Sequence, residues 1–128
     1  MDEKTINSIV DTVVESMKPQ TDMTLSAARR LSEKVRVKAK EMGVNAVVAI
    51  SNKGANPVLV ECMDDSYIAS YDVAVSKAFT VVSLKMSTST LKPLAQPGGS
   101  LYGIQFTNQG KIVIFGGGNR CVIKTVML

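Results

Sequence analysis

Apolar residues recur at helical spacing over residues 2–18, DEKTINSIVDTVVESMK, where Ile6, Ile9, Val10, Val13, Val14 and Met17 share one narrow stripe. Asp2 and Glu3 near the start and Lys18 near the end suit the helix macrodipole. Isoleucine and valine are mediocre helix formers, so this helix needs a surface to pack on. Pro19 ends it, and residues 19–23 read as a linker. Thr24 is an N-cap for a second helix whose buried face is expected to be Leu25, Ala28, Leu31, Val35, Ala39 and Met42, with Gly43 as its stop. The run Ala46 to Ser51, a turn at Asn52, Lys53 and Gly54, and the return Val58 to Cys62 predict an antiparallel hairpin. Asp64, Asp65 and Ser66 offer a cap for a third helix reaching about Leu84, with Ile68, Tyr71, Val75, Phe79 and Val82 on one side and Asp72, Ser76 and Ser83 on the other. A Ser/Thr-rich stretch contains a short helix over Thr88 to Leu94, and Gln96 to Gly99 is a loop. Ile104 to Thr107 and Lys111 to Phe115 predict a second hairpin about Asn108 and Gly110. Gly116 to Gly118 read as a loop, and CVIKTVML closes the chain as a last strand.

Strands in adjacent hairpins, with helices that do not alternate singly between them, predict an α+β fold: an antiparallel sheet flanked by helices. The 128 residues are enough for one domain with a core. With 45% hydrophobic and 20% charged residues the composition is that of a globular domain, and no apolar run is long enough to span a membrane. No basic start followed by an uninterrupted apolar core opens the chain, so a cytoplasmic location is expected. The net charge of +4 is scattered; its densest zone, Arg29, Arg30, Lys34, Arg36, Lys38 and Lys40, reads as a solvated helix face. No aromatic platform accompanies it, and nucleic acid is not expected as a partner.

Histidine is absent from the chain, which removes imidazole-dependent triads and the usual zinc constellations. Cys62 and Cys121 match no metal spacing and read as small buried hydrophobes. Asp64 and Asp65 suggest a helix cap before they suggest a hard-cation site. No nucleophile–base pair stands out, so catalysis has no positive sequence evidence.

Five segments, in order, carry a likeness to a known family: TLSAARRLSEKVRVKAKEMGV, AVVAISNKGANPVLVECMDD, IASYDVAVSKAFT with its Ser–x–Asp and Lys-Ala-x-Thr elements, MSTSTLKPLAQPGGSLYGI, and IVIFGGG. Over residues 24–118 the chain resembles the GlcG/HbpS family, which includes the C-terminal domain of PduO-type proteins. The resemblance implies a profilin- or PAS-like antiparallel sheet with helices against it, set in a domain over residues 24–128, and usually an oligomeric assembly. It implies haem or a related tetrapyrrole as ligand for some members. The ordinary ligand types for haem iron are His, Cys, Met and Tyr. A histidine near the first helix, the axial ligand expected in PduO-like members, has no counterpart in this sequence. Thr88 aligns with a threonine able to approach the iron; Met42, Met63, Met86, Cys62 and Tyr102 are further donors without support from spacing. Family members continue past the Gly-rich loop with another strand and a helix. This chain stops ten residues after Gly118, and its last residues are expected to pair with the sheet, or another subunit to cover the open edge.

Gln96, Pro97, Gly98, Gly99, Tyr102 and Gly103 form the motif most readily placed at a pocket, since glycines admit close backbone approach and Tyr102 offers a ring for stacking. The alternative is a tight loop with Tyr102 packed. Gly116 to Gly118 offer amides to an anion, or simply a bend. Asp72 and Lys77 match the family pattern and either line a polar wall or serve structure, Asp72 by capping a loop and Lys77 by snorkelling. Residues 1–18 resemble the encapsulation peptides that direct enzymes into bacterial microcompartments, where PduO-type proteins belong; otherwise they form an extra packing helix. The expected function is that of a non-enzymatic ligand-binding or accessory protein. The alternatives are a structural oligomer without ligand, or an enzyme accessory to corrinoid adenosylation or haem degradation.

Overall fold

The computed structural model describes residues 3–15, 22–120 and 125–127. Its elements are α1 (Glu3–Glu15), α2 (Leu25–Glu41), β1 (Val47–Ser51), β2 (Pro57–Cys62), α3 (Ile68–Leu84), α4 (Thr88–Leu94), two 3-10 turns (Ile104–Phe106 and Asn108–Gly110), β3 (Gly118–Arg120) and β4 (Thr125–Met127). The strands form one sheet in the order β2-β1-β4-β3, and every pairing is antiparallel. The fold is α+β, as the pattern predicts.

β1 is buried along its whole length because helices cover both faces of the sheet. Its alternating side chains serve two cores. Val48 and Ile50 join Ala27, Ala28, Leu31 and Val35 of α2, together with Ile6 of α1 and Met23. Val47 and Ala49 join Ala74, Ala78 and Val81 of α3. A third cluster, Leu91, Ala95 and Ile112 with Phe79, Leu101 and Ile104 around it, fixes α4 to the segment after it.

The caps of α2 and the first hairpin follow the sequence. The Thr24 hydroxyl accepts from the Ala27 amide. The Asn52 carboxamide oxygen accepts from the Gly54 and Asn56 amides and closes the β1–β2 turn. Asp22, in the span read as a linker, accepts from the Lys53 amide at 2.8 Å and so ties the start of α2 to that turn. The last strand is present as β4, which pairs with β1 in the middle of the sheet. Residues 16–21 and 121–124, which hold Met17, Pro19 and Cys121, lie outside the described residues.

Five expectations are corrected. Leu25 and Met42, at the ends of the α2 stripe, are exposed, while Ala27 and Ser32 are buried in their place. α3 is rotated from the face read: Ile68 and Tyr71 are exposed, Val75 and Phe79 are partly buried at the margins of two cores, and Ala74, Lys77, Ala78, Thr80 and Val81 are buried. Its N-cap is Tyr67, with no side-chain cap bond, because Asp65 takes a left-handed conformation in the preceding turn. Residues 104–115 form no hairpin. Left-handed Asn108 and Gln109 coil the chain into 3-10 turns, and the Thr80 hydroxyl bonds the Lys111 carbonyl and the Val113 amide where a strand partner would sit. Cys62, read as buried, is exposed at the end of edge strand β2.

Candidate functional site

Ser70, Val73, Ala74 and Lys77 follow one another at spacings of three, one and three residues, so they share one face of α3. Small side chains on that face, Ala69, Ser70 and Ala74, meet small side chains opposite, Ala39 and Ala46. The space they leave is a cavity of about 500 Å³, walled by Met42, Val44, Asn45, Val47, Tyr67 and Phe115. Ligand sites of this kind measure ~300–1,000 Å³ and are mostly apolar with a few placed polar groups.

Lys77 supplies the charge. It is only 7% exposed, and its ammonium lies 4.5 Å from the centroid of the Phe115 ring. No acidic side chain lines the cavity, and among the described residues no hydrogen bond or ion pair holds the ammonium. Burial lowers its pKa from the ordinary 10.5. The side chain does not snorkel; it is enclosed.

The other residues singled out from the sequence sit elsewhere. Asp72 is exposed on α3, away from the cavity lining. Thr88 is buried, and its hydroxyl accepts from the Gly118 amide at 2.8 Å and also faces the Gly118 carbonyl at 3.5 Å. Gln96 and Pro97 are exposed, and the Gln96 carboxamide donates to the Lys92 carbonyl. Gly98 is exposed beside Gly99, which is required by packing: a Cβ there would lie 2.3 Å from the Leu94 carbonyl oxygen. Gly103 has φ +101 and donates to the Gln105 side chain, and Tyr102 is exposed. The loop thus wraps back over the end of α4, where the Leu101 amide reaches the Leu94 carbonyl. Of the Gly triplet, Gly118 gives its amide to Thr88 rather than leaving it open to an anion.

The structure therefore brings Lys77 to the cavity and leaves Thr88, Asp72 and the QPGG loop out of its wall. Ser70, Met42, Val73 and Phe115 line it without having been singled out for that role by their spacing. Thr80 also went unread: the Lys-Ala-x-Thr element places Lys77 on the cavity and puts the Thr80 hydroxyl against the backbone that leads to Phe115. Its signal was a threonine inside an otherwise apolar helix stretch.

A second, more open groove of about 580 Å³ runs between α1 and α2, bounded by Thr5, Ile9, Val37 and the charged Arg30, Glu33, Lys34, Lys38 and Glu41. Among the described residues no helix is long and apolar enough to cross a membrane, and no group of His, Cys, Asp or Glu is placed to hold a metal ion.

A family model described as "Haem degrading protein HbpS-like" matches residues 23–127. A Citrobacter freundii protein known as an uncharacterized 15.0 kDa protein of the dhaT-dhaS intergenic region is 43% identical over 96 residues, 75% of this chain and 68% of that one. The corrinoid adenosyltransferase PduO of Citrobacter freundii is 32% identical over 100 residues; the match takes in 78% of this chain and 30% of PduO. Among solved structures, Klebsiella pneumoniae protein ORFY is similar with a TM-score of 0.79 and 38% identity, covering 87% of this chain and 80% of that one. A complex of PduOC with heme is similar with a TM-score of 0.65 and 25% identity, covering 98% and 78%. The order of helices and strands, the antiparallel sheet and these matches lead to one conclusion: the chain belongs to the HbpS-like family, and its fold is the one seen in ORFY and HbpS.

Proposed function

We propose that this protein is a non-enzymatic binding domain that takes haem or a related tetrapyrrole in the cavity beside α3. The observation that carries the reading is Lys77: a buried ammonium facing an apolar cavity with no acidic group in its wall. A buried charge is costly without a partner, and a tetrapyrrole carboxylate would supply one. The residues present fit such a group. Phe115, Val44, Val47 and Val73 offer apolar walls to a flat ring, and Met42 and Tyr67 are lining side chains of the types that ligate haem iron. Haem, when bound, would bring an iron centre able to take small ligands. The heme complex of PduOC supports the ligand class.

A haem titration followed at the Soret band tests this reading. The wild type is expected to saturate. Lys77→Met is expected to weaken binding about tenfold or more, since a hydrogen bond to a charged group contributes about 1.5–3 kcal/mol. Thr88→Val is expected to keep wild-type affinity while losing about 1–3 kcal/mol of stability, because it strands the Gly118 amide. Equal affinity of wild type and Lys77→Met would reject the site.

The proposed setting is a cytosolic homo-oligomer that works beside PduO-type proteins in or near a bacterial microcompartment, with α1 as packaging segment. Its support is the similarity to PduO and the amphipathic sequence of α1. Ile6 docks in the main core, so packaging has to be compared at matched stability. Shell proteins that co-purify equally with the full chain and with residues 19–128 would remove this part.

A further inference from the structure

We propose that Lys77 is also a nucleophilic amine, which captures small uncharged carbonyl compounds, aldehydes above all, as a reversible imine in the α3 cavity. It is buried in the wall of the cavity: the amine end lies over Phe115, and both residues line the space. Among the described residues no carboxylate pairs with it to hold it as an ammonium, and the Phe115 ring beside it is the weaker, aromatic partner of the charged form. The polar side chains that line the cavity with it are those of Tyr67, Ser70 and Asn45. Burial shifts Lys77 toward its neutral form, the one that attacks a carbonyl.

The chemistry closes without an outside oxidant or reductant. The amine lone pair adds to the carbonyl carbon, and a proton passes from nitrogen to the new alkoxide to give a carbinolamine. The nitrogen lone pair then expels the hydroxyl, which leaves as water once protonated, and loss of the remaining N–H proton leaves the neutral imine. Ser70 and Tyr67, hydroxyl-bearing residues of the same lining, would pass those protons. The ligand class follows from charge. Once Lys77 is spent as an imine, no other cation lines the cavity, so a second, acidic group on the ligand would be buried without a partner. An uncharged tail on apolar walls meets no such penalty.

The site is the one proposed for the tetrapyrrole, so the test reads a covalent mark instead of haem absorbance. The full chain is incubated with butanal and cyanoborohydride at neutral pH, and alkylated lysines are timed by peptide mapping. Lys77 is expected to label ahead of the exposed Lys53 and Lys92. Lys77→Met is expected to lose that label and keep the others. Ala69→Phe, at an exposed lining position, is expected to slow labelling at Lys77 alone, and it carries the test if Lys77→Met does not fold. Labelling of Lys77 no faster than that of Lys53 and Lys92, or a rate untouched by Ala69→Phe, overturns the proposal. Neither result alters the haem reading, and a chain that takes up no haem still labels at Lys77 if the proposal holds.

Discussion

An enclosed lysine has to settle its charge, and Lys77 settles it with an aromatic ring and empty volume. The consequence is a stability that depends on pH in a definite direction. The folded-state pKa lies below the unfolded 10.5, so between the two values the unfolded chain holds more protons, and stability rises with pH. Below both values the penalty is fully present. Lys77→Met removes it, so the stability difference between wild type and variant is expected to move in favour of the wild type as pH climbs toward 10.5, read by urea unfolding at a series of alkaline pH values. A difference flat with pH would mean that the ammonium is compensated. At this scale the sequence was legible in part. Thr24 as cap and Asn52 as turn former act through neighbours a few residues away. Thr80 and Thr88 act on backbone about thirty residues on, which no local spacing reports.

The facing of α3 separates two kinds of helix reading. Apolar residues occur on both flanks of this helix, so periodicity offers two candidate faces. The sheet chooses the one with small side chains, since Ala74 and Ala78 let the helix lie against Val47 and Ala49. Ala78→Leu is therefore expected to destabilise by about 1–3 kcal/mol through overpacking. Ile68→Ser is expected to stay within about 0.5 kcal/mol, since Ile68 is 97% exposed. Chemical denaturation of both variants checks this, and the reverse ranking would restore the face read from the sequence. α2 posed no such choice in its middle turns, where Ala28, Leu31, Val35 and Ala39 are buried as the stripe predicts. The missed hairpin has the same origin as the missed threonines: alternating Ile112 and Ile114 look like a strand, but the backbone there bonds to a helix side chain.

For the whole molecule, the sequence carried the class and the family. Three helices, the β1–β2 hairpin and five ordered segments were enough, because each is written in contiguous residues, whereas the strand pair read over residues 104–115 is absent and β3 begins at Gly118, read as a loop. The cavity was not, because its wall is assembled from the end of α2, the entry to β1, the first half of α3 and Phe115. Only the fold brings these together. Glycines at 98, 99 and 103 drew attention to a loop whose geometry serves the end of α4, while the volume lies beside Lys77. Backbone amide NMR of labelled protein titrated with a diamagnetic metalloporphyrin distinguishes these two places in one experiment. Shifts concentrated at residues 44–47, 69–77 and 115 are the predicted result. Shifts concentrated at residues 96–103, with the amides around Lys77 unmoved, would contradict the assignment of the site.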